Sequence, residues 1–190
     1  GRVLLEEHFL FDLIDRKMDF SLYKLLILPD EILIDDELKH LLERYLKSGG
    51  KLLLTGGSGL RSDGKGFALD VGAEHFGESP FQPDYLESGS ELGASFVDSP
   101  LVMYMRSQQV KASSGKVLAQ IRNPYFNRTW RHFCSHQHAP ASELSAYAGA
   151  IRKNGMLYLA HPIFSIYHAL GAVAYREYAA NAVKSLLGDS

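Results

Sequence analysis

Several features are scarce in this sequence of 190 residues, and each absence excludes a class of protein. Cys134 is the only cysteine, so an internal disulfide framework is excluded, while the cellular compartment, cytoplasmic or periplasmic, stays open. No apolar run approaches the roughly 20 residues that a membrane-spanning helix needs. The net charge is only -2 and the two signs are interspersed, so we expect neither nucleic acid nor a membrane surface as a partner.

The hydrophobic residues that are present, 46% of the chain, suffice for one sizeable core and predict a single domain over residues 1–190. Its most informative stretch is YKLLILPDEILIDDELKHLLERYLKSGGKLLLTGGSG, from Tyr23 to Gly59. Tyr23 to Leu28 and Lys51 to Thr55 are short apolar runs, typical of strands buried on both faces. Between them, from Asp35, apolar residues recur at helical spacing, and Gly49 and Gly50 can end that helix. The segment therefore predicts a βαβ crossover and a parallel sheet.

The stretch before the crossover has an apolar pattern that predicts a helix from about Val3 to Met18. An α/β domain of this kind usually begins with a strand. We therefore expect the chain to be a piece of a longer polypeptide. The piece would begin just after the first strand of the domain.

The rest of the chain predicts a mixed sheet and a closing helix. Gly56 to Gly66 reads as a loop, and Phe67 to Glu78 as a short helix or a turn-rich connector. We expect a short strand at Leu101 to Met105 and a hairpin between Gln109–Lys111 and Lys116–Ile121. A second hairpin should join Tyr147–Ile151 to Met156–Ala160, because Asn154 and Gly155 favour a type I′ turn. The last helix carries an apolar stripe and should end at Gly188, which completes a three-layer, flavodoxin-like α/β fold.

The turn after the second strand is where a flavodoxin-like hydrolase or amidotransferase would carry its nucleophile. It reads Thr55, Gly56, Gly57 and Ser58, followed by Gly59 and Leu60, so it has no cysteine and fails the G-x-S-x-G spacing. The phosphate-loop and dinucleotide patterns fail as well. A structural glycine turn is the preferred interpretation, and a nucleophilic Ser58 is the weaker alternative.

A polar and aromatic cluster fills Asn123 to Pro140, NPYFNRTWRHFCSHQHAP. Trp130, His132, Cys134, His136 and His138 lie within it, and His161 follows later. In an extended chain, residues two apart would share a face and could bind zinc, but paired Cys-x-x-Cys spacing is absent. We therefore expect no bound metal and no cofactor. A ligand or metal module using His132, His136, His138 and His161, or a hydrolase using Cys134, remains the alternative.

Glycosidase chemistry would require two carboxylates that face each other across a sugar. The candidates are carboxylates in predicted loops, which we interpret as solvated: Glu74, Glu78, Asp84, Glu87 and Glu91.

Three segments carry a resemblance to a known family: the crossover above, NPYFNRTWRHFCSHQHAP, and GMLYLAHPIFSIYHALGAVAYREYAANAVKSLL. Together they cover most of the chain. They resemble the class I glutamine amidotransferase-like domain of multidomain glycoside hydrolases, the beta-galactosidase trimerisation domain. Ser135 to Pro140 is similar to a fucosidase-like subgroup of that family.

The resemblance implies an accessory module that lacks the amidotransferase nucleophile, since Gly56 and Gly57 stand where active members carry cysteine. It also implies a catalytic TIM-barrel domain upstream in the same polypeptide, and assembly into a homo-oligomer such as a trimer. Trp130, His132, Cys134, His136, His138 and His161 would then form a ligand or partner surface.

Overall fold

The computed structural model describes residues 1–188, which form nine strands and four α-helices. The helices are α1 (Arg2–Glu6), α2 (Asp36–Lys47), α3 (Ile163–Leu170) and α4 (Val173–Leu187), and a 3-10 turn spans Phe20–Leu22. The strands are β1 (Leu25–Leu28), β2 (Lys51–Thr55), β3 (Ala73–Glu78), β4 (Asp84–Ser88), β5 (Leu101–Met103), β6 (Gln108–Ala112), β7 (Lys116–Pro124), β8 (Ala141–Lys153) and β9 (Met156–Leu159).

Seven strands form one mixed sheet in the order β1-β2-β9-β8-β7-β4-β5. The pairs β1–β2 and β2–β9 are parallel, and the remaining pairs are antiparallel. Helix α2 covers one face, while α1, α3 and α4 cover the other. The three-layer α/β fold predicted from the sequence is therefore confirmed.

The central strands are buried on both faces, as their continuous apolar runs predict. Along β2, Leu53 joins the core beneath α3 and α4, whereas Leu52 and Leu54 join the core beneath α2. This alternation follows from the two-residue period of a strand.

The predicted crossover is confirmed, and α2 begins and ends as its sequence indicates. The Asp35 carboxylate caps the helix by accepting a hydrogen bond from Leu38 N at 2.8 Å. Gly49 adopts a left-handed φ of 93° after the last turn. Gly50 is needed for space, because a Cβ there would lie 2.3 Å from the Tyr45 ring.

The predicted helix from Val3 to Met18 is wrong beyond its first turn. Helix α1 ends at Glu6 in a Schellman motif, in which Phe9 N donates to Leu4 O at 2.9 Å and His8 takes a φ of 58°. The chain then continues without regular structure. Arg16 Nη1 bonds Asp35 at 2.8 Å and Tyr23 donates to Asp12 at 3.0 Å, so contacts with later segments replace a marginal isolated helix.

The first predicted hairpin is also wrong, because β6 pairs with β3 in a separate two-stranded sheet. Gly72 O accepts hydrogen bonds from the backbone N–H groups of Ser113, Ser114 and Gly115. These bonds hold the turn after β6 against the start of β3, while β7 pairs with β4 and β8. Part of the predicted connector from Phe67 to Glu78 is therefore strand β3, and the predicted strand at Leu101 is confirmed as β5.

The C-terminal part follows the prediction more closely. Strands β8 and β9 form the predicted hairpin around Asn154, although only Asn154 of the two turn residues has a positive φ, 51°. The closing helix α4 ends before Gly188, and the shorter α3 precedes it, separated by Gly171 in the left-handed region. Within residues 1–188, no helix is long and apolar enough to cross a membrane.

Replacement of Leu42 by alanine tests the packing of α2 on the sheet. Leu42 is fully buried, so Leu42→Ala should lower the free energy of unfolding by about 2–5 kcal/mol, measured by urea denaturation. The matched control Leu22→Ala, at a position 76% exposed, should change it by less than about 0.5 kcal/mol. Equal effects of the two substitutions would contradict the observed packing.

Candidate functional site

The carboxyl ends of β1 and β2 meet at the turn formed by Thr55, Gly56, Gly57 and Ser58, where an amidotransferase-like fold would place its chemistry. Asp30, which follows β1, dominates the contacts of this turn. Thr55 Oγ1 accepts a hydrogen bond from Asp30 N at 2.9 Å and donates one to Asp30 Oδ1 at 2.6 Å. The two parallel strand ends are thus joined through one buried carboxylate.

The same carboxylate also binds the first turn of α3. Asp30 Oδ2 accepts hydrogen bonds from Ser165 N at 2.7 Å and from Ser165 Oγ at 2.6 Å. The residue at the helix N-cap position, Pro162, makes no side-chain cap, so Asp30 supplies the negative charge that a helix N-terminus favours. Asp30 holds a φ of 56°, a strained conformation for a residue with a Cβ.

The backbone amides of the turn are already used in hydrogen bonds within the domain. Gly56 N donates to Leu159 O at 2.9 Å, Gly57 N to Asp30 O at 2.6 Å, and Ser58 N to Thr55 O at 3.0 Å. In a hydrolase or amidotransferase of similar fold, such amides would form an oxyanion hole. Here each has a carbonyl partner.

The turn also has no room for a larger side chain at its sharpest point. Gly56 adopts a φ of 57°, and a Cβ there would lie 2.9 Å from Asp30 O and 3.1 Å from Pro162 Cβ. The Gly56 carbonyl accepts a hydrogen bond at 2.7 Å from Tyr158, whose pKa is raised by burial. Ser58, the alternative nucleophile, is fully buried and its Oγ accepts a hydrogen bond from Ile32 N at 2.9 Å.

A second buried polar group lies at the end of β9. His161 Nε2 contacts Asp84 Oδ1 at 2.6 Å, and Ser107 Oγ donates to Asp84 Oδ2 at 2.7 Å. The expectation that Asp84 is a solvated loop acid is wrong, because it lies on β4 and is fully buried. Ser107 bonds the carboxylate and not the imidazole, so the order of a Ser-His-Asp triad is not formed.

The remaining predicted site residues lie on one long loop between β7 and β8, which we call the Trp130 loop and define as Tyr125 to Pro140. It forms no strand, so the shared face expected for an extended chain is not formed. Its base is fixed: Asn127 Nδ2 donates to Pro80 O at 2.7 Å, and the Tyr85 hydroxyl donates to Ala139 O. Cys134 Sγ lies 3.4 Å from His138 O inside the loop.

The Trp130 loop presents large aromatic side chains to solvent. Trp130 is 81% exposed, Phe133 71% and Tyr125 69%. Arg131 lies over the Trp130 ring, with its guanidinium carbon 4.5 Å from the centroid. His132 and His136 are exposed as well, whereas His161 is only 1% exposed.

The histidines do not form a metal site in this arrangement. Among residues 1–188, no group of three histidine, cysteine, aspartate or glutamate side chains is placed to hold a metal ion. The alternative of a metal-binding module therefore has no ligand cluster to support it in the described part of the chain.

Comparison with solved structures shows that other proteins share this fold. The fold is shared with a ThuA-like protein from Bacteroides uniformis, at a TM-score of 0.61 and 13% identity over 100% of this chain and 81% of that one. It is also shared with the GH42 beta-galactosidase Gan42B from G. stearothermophilus, at a TM-score of 0.65 and 17% identity over 97% of this chain. Both likenesses show the same α/β fold.

Two further findings concern similarity in sequence. Residues 2–71 match the family model described as "Beta-galactosidase trimerisation domain". Alpha-L-fucosidase isoenzyme 2 from Paenibacillus thiaminolyticus is 37% identical over 99% of this chain, at a TM-score of 0.94. Residues 2–71 are thus similar to the beta-galactosidase trimerisation domain, and nearly the whole chain is similar to one segment of the fucosidase. The comparison with curated proteins gave no match.

The chain corresponds to only part of the glycosidases that it matches. It spans 28% of the length of the fucosidase and 25% of the length of the GH42 galactosidase.

Sequence reasoning located the turn but missed the residues that organise it. The rule that ligands and polar contacts gather at the carboxyl ends of parallel strands points to the loop containing Asp30. No local signal indicates that its carboxylate reaches Ser165, which is 135 positions away in the chain. The pairing of Asp84 with His161 is equally remote, across 77 positions.

Replacement of Asp30 tests its role as the junction of two strands and a helix. Asp30→Ala should lower the free energy of unfolding by about 2–4 kcal/mol, because buried donors on Thr55 and Ser165 lose their acceptor. Asp30→Asn should lower the free energy of unfolding by less than Asp30→Ala does, since asparagine keeps one acceptor oxygen and tolerates a positive φ. Urea denaturation measures both Asp30 variants beside the control Asp36→Ala in α2. If Asp30→Ala and Asp36→Ala lowered the free energy of unfolding equally, the assigned role of Asp30 would be contradicted.

Proposed function

We propose that the chain is a non-catalytic accessory domain that mediates assembly of a larger glycoside hydrolase. In this proposal a catalytic TIM-barrel domain precedes it in the same polypeptide, and the domain contributes contacts in a homo-oligomer such as a trimer. The observation that carries the proposal is the Trp130 loop. Hydrogen bonds fix its base, and the aromatic side chains of Trp130 and Phe133 are exposed.

Exposed aromatic residues on an anchored loop are what an interface hot spot requires. Tryptophan and tyrosine are enriched among the residues that contribute most to protein association. The loop can hold Trp130 in place before contact, since Thr129 N donates to His132 O at 2.8 Å and His132 N donates to Thr129 Oγ1 at 3.1 Å. Less conformational entropy is then lost on binding.

The closed turn supports the absence of catalysis within this domain. Its amides already donate to carbonyls, and Ser58 is fully buried. A reacting carbonyl would find neither a free donor nor an accessible nucleophile there.

The proposal also concerns which glycoside hydrolase the domain belongs to. The 37% identity to a fucosidase over 99% of this chain favours a fucosidase-like parent over a beta-galactosidase. In that enzyme the Trp130 loop, with its exposed His132 and His136, would shape one wall of the sugar site or of a subunit contact.

Removal of the exposed aromatic side chains of Trp130 and Phe133 should weaken assembly. We expect the 190-residue chain to sediment as an oligomer, and the double variant Trp130→Ala with Phe133→Ala to sediment as a monomer at the same concentration. The control Phe96→Ala removes an exposed aromatic side chain from a different loop and should leave the oligomer intact. A wild-type chain that is monomeric at all concentrations, or an oligomer unaffected by the double variant, would contradict assembly through this loop.

Activity measurements test the non-catalytic part of the proposal separately. The chain should hydrolyse neither glutamine nor the aryl glycosides of fucose and galactose above the rate in buffer. A rate that disappears on Ser58→Ala or on Cys134→Ala would show an active hydrolase and would refute the proposal.

A further inference from the structure

An apolar groove of about 640 Å³ lies beside strand β1, at the edge of the sheet opposite to β5. Residues 23–29, which include β1, form one wall, and the segment of residues 9–16 forms the other. We call the space between these two walls the β1 groove. Within residues 1–188, neither the glycine turn nor the Trp130 loop lines it. The groove is therefore separate from both of those features.

The outer edge of β1 has backbone groups without partners. In the described part of the chain β1 pairs only with β2, and Lys51 N donates to Lys24 O at 3.2 Å. Successive residues of a strand direct their backbone groups to opposite sides, so Leu26 faces β2 whereas Leu25 and Ile27 face the groove. The N–H and C=O groups of Leu25 and Ile27 bond no other described residue. This edge of β1 is therefore free to pair with a further strand.

Strand β1 also lacks the features that protect a free edge. Native edge strands commonly carry a charged residue, a proline or a β-bulge, each of which prevents pairing with another strand. The sequence of β1 is LLIL, and its register with β2 is regular. Lys24 and Pro29 flank the strand and do not interrupt it. Such an edge is expected to be covered by another strand in the intact protein.

Apolar side chains cover the groove on both faces of the sheet. Leu38 and Leu42 of α2 line it from one face, and Phe164 of α3 and Val183 of α4 line it from the other. A strand placed in the groove would be buried on both faces, as β2 is. The groove therefore selects an apolar segment.

The size of the groove fits a single strand. A rise of about 3.3 Å, a strand spacing of about 4.8 Å and a layer spacing of about 10 Å give each residue of a covered strand about 160 Å³. A groove of 640 Å³ therefore holds about four such residues, which is the length of β1.

The path of the chain around the groove indicates how such a strand would be connected. Phe9 packs against the core beneath α4 and Ile14 against the core beneath α2, so residues 9–14 pass around the groove from one face to the other. A strand in the groove that is followed by α1 and then by this segment would lead away from β1, opposite in direction to the β1–α2–β2 crossover. Right-handed connections in opposite directions place their helices on opposite faces. Helix α1 does lie on the face opposite α2.

We propose that an apolar strand of the same polypeptide, N-terminal to Gly1, fills the β1 groove and pairs in parallel with Leu25 to Leu28. Gly1 itself lines the groove, so a segment joined to it reaches this place through a short turn. The new strand would lie between β1 and residues 9–16. A second copy of the chain fits less well, because residues 9–16 close the outer side of the groove against another sheet.

This inference rests on the proposal above that the chain is part of a larger enzyme. The chain spans only 28% of the similar fucosidase, so that protein has further segments outside the matched region. The strand would join the domain to the polypeptide before it and would fix the position of α1.

Hydrogen exchange followed by NMR tests the strand. It compares the 190-residue chain with the same chain extended at Gly1 by the roughly 20 preceding residues of its gene, enough for a strand and a turn. We expect the amides of Leu25 and Ile27 to exchange about 100-fold more slowly in the extended chain, because pairing protects them. The amides of Leu26 and Leu28, which already bond β2, should be protected in both chains.

The matched control is the extended chain with the apolar residues of the extension replaced by serine, which should exchange as the 190-residue chain does. The inference is overturned if the extension leaves the exchange of Leu25 and Ile27 unchanged, or if the serine variant protects them equally. It is also overturned if both amides are already protected in the 190-residue chain. Protection that rises with protein concentration in that chain would assign the groove to a second copy.

The extended chain that carries Trp130→Ala and Phe133→Ala separates this inference from assembly through the Trp130 loop. Protection of Leu25 and Ile27 should persist in that variant even when sedimentation shows a monomer. Protection that is lost together with the oligomer would show that a subunit contact covers β1, and would overturn the inference.

Discussion

The Asp30 carboxylate makes the contacts on which the carboxyl-terminal ends of β1 and β2 depend. It accepts hydrogen bonds from Thr55 at the end of one parallel strand and from Ser165 at the start of a helix, and its own backbone continues the neighbouring strand. A buried carboxylate is stable only when its oxygens are bonded, so the three elements must be in place together. The strained φ of Asp30 is held by the same contacts.

This junction explains why the turn after β2 differs from a catalytic elbow. A nucleophile turn has to leave its amides and its side chain open to substrate. Here Asp30, Leu159 and Pro162 occupy that space, and the glycine at position 56 is what permits their close approach. The interactions that would stabilise a transition state are used to stabilise the domain itself.

The exposed aromatic side chains lie elsewhere, on a loop outside the parallel part of the sheet. The Trp130 loop follows β7, among the antiparallel strands. Hydrogen bonds from Asn127 to Pro80 O and from Tyr85 to Ala139 O hold its base. The parallel half holds the closed glycine turn, and the antiparallel half carries the exposed aromatic side chains.

The sequence alone determined the elements whose signals are local. Buried strands such as Leu52 to Leu54, the helix capped by Asp35 and the hairpin at Asn154 follow from periodicity, capping and turn chemistry within a few residues. The glycine-rich turn after β2 is likewise read from Thr55 to Ser58 themselves. Tertiary structure decided what depends on distant partners: the end of α1, the pairing of β6 with β3, and the burial of Asp84 against His161. Those outcomes depend on contacts between residues far apart in the chain, and neither propensity nor spacing records such contacts.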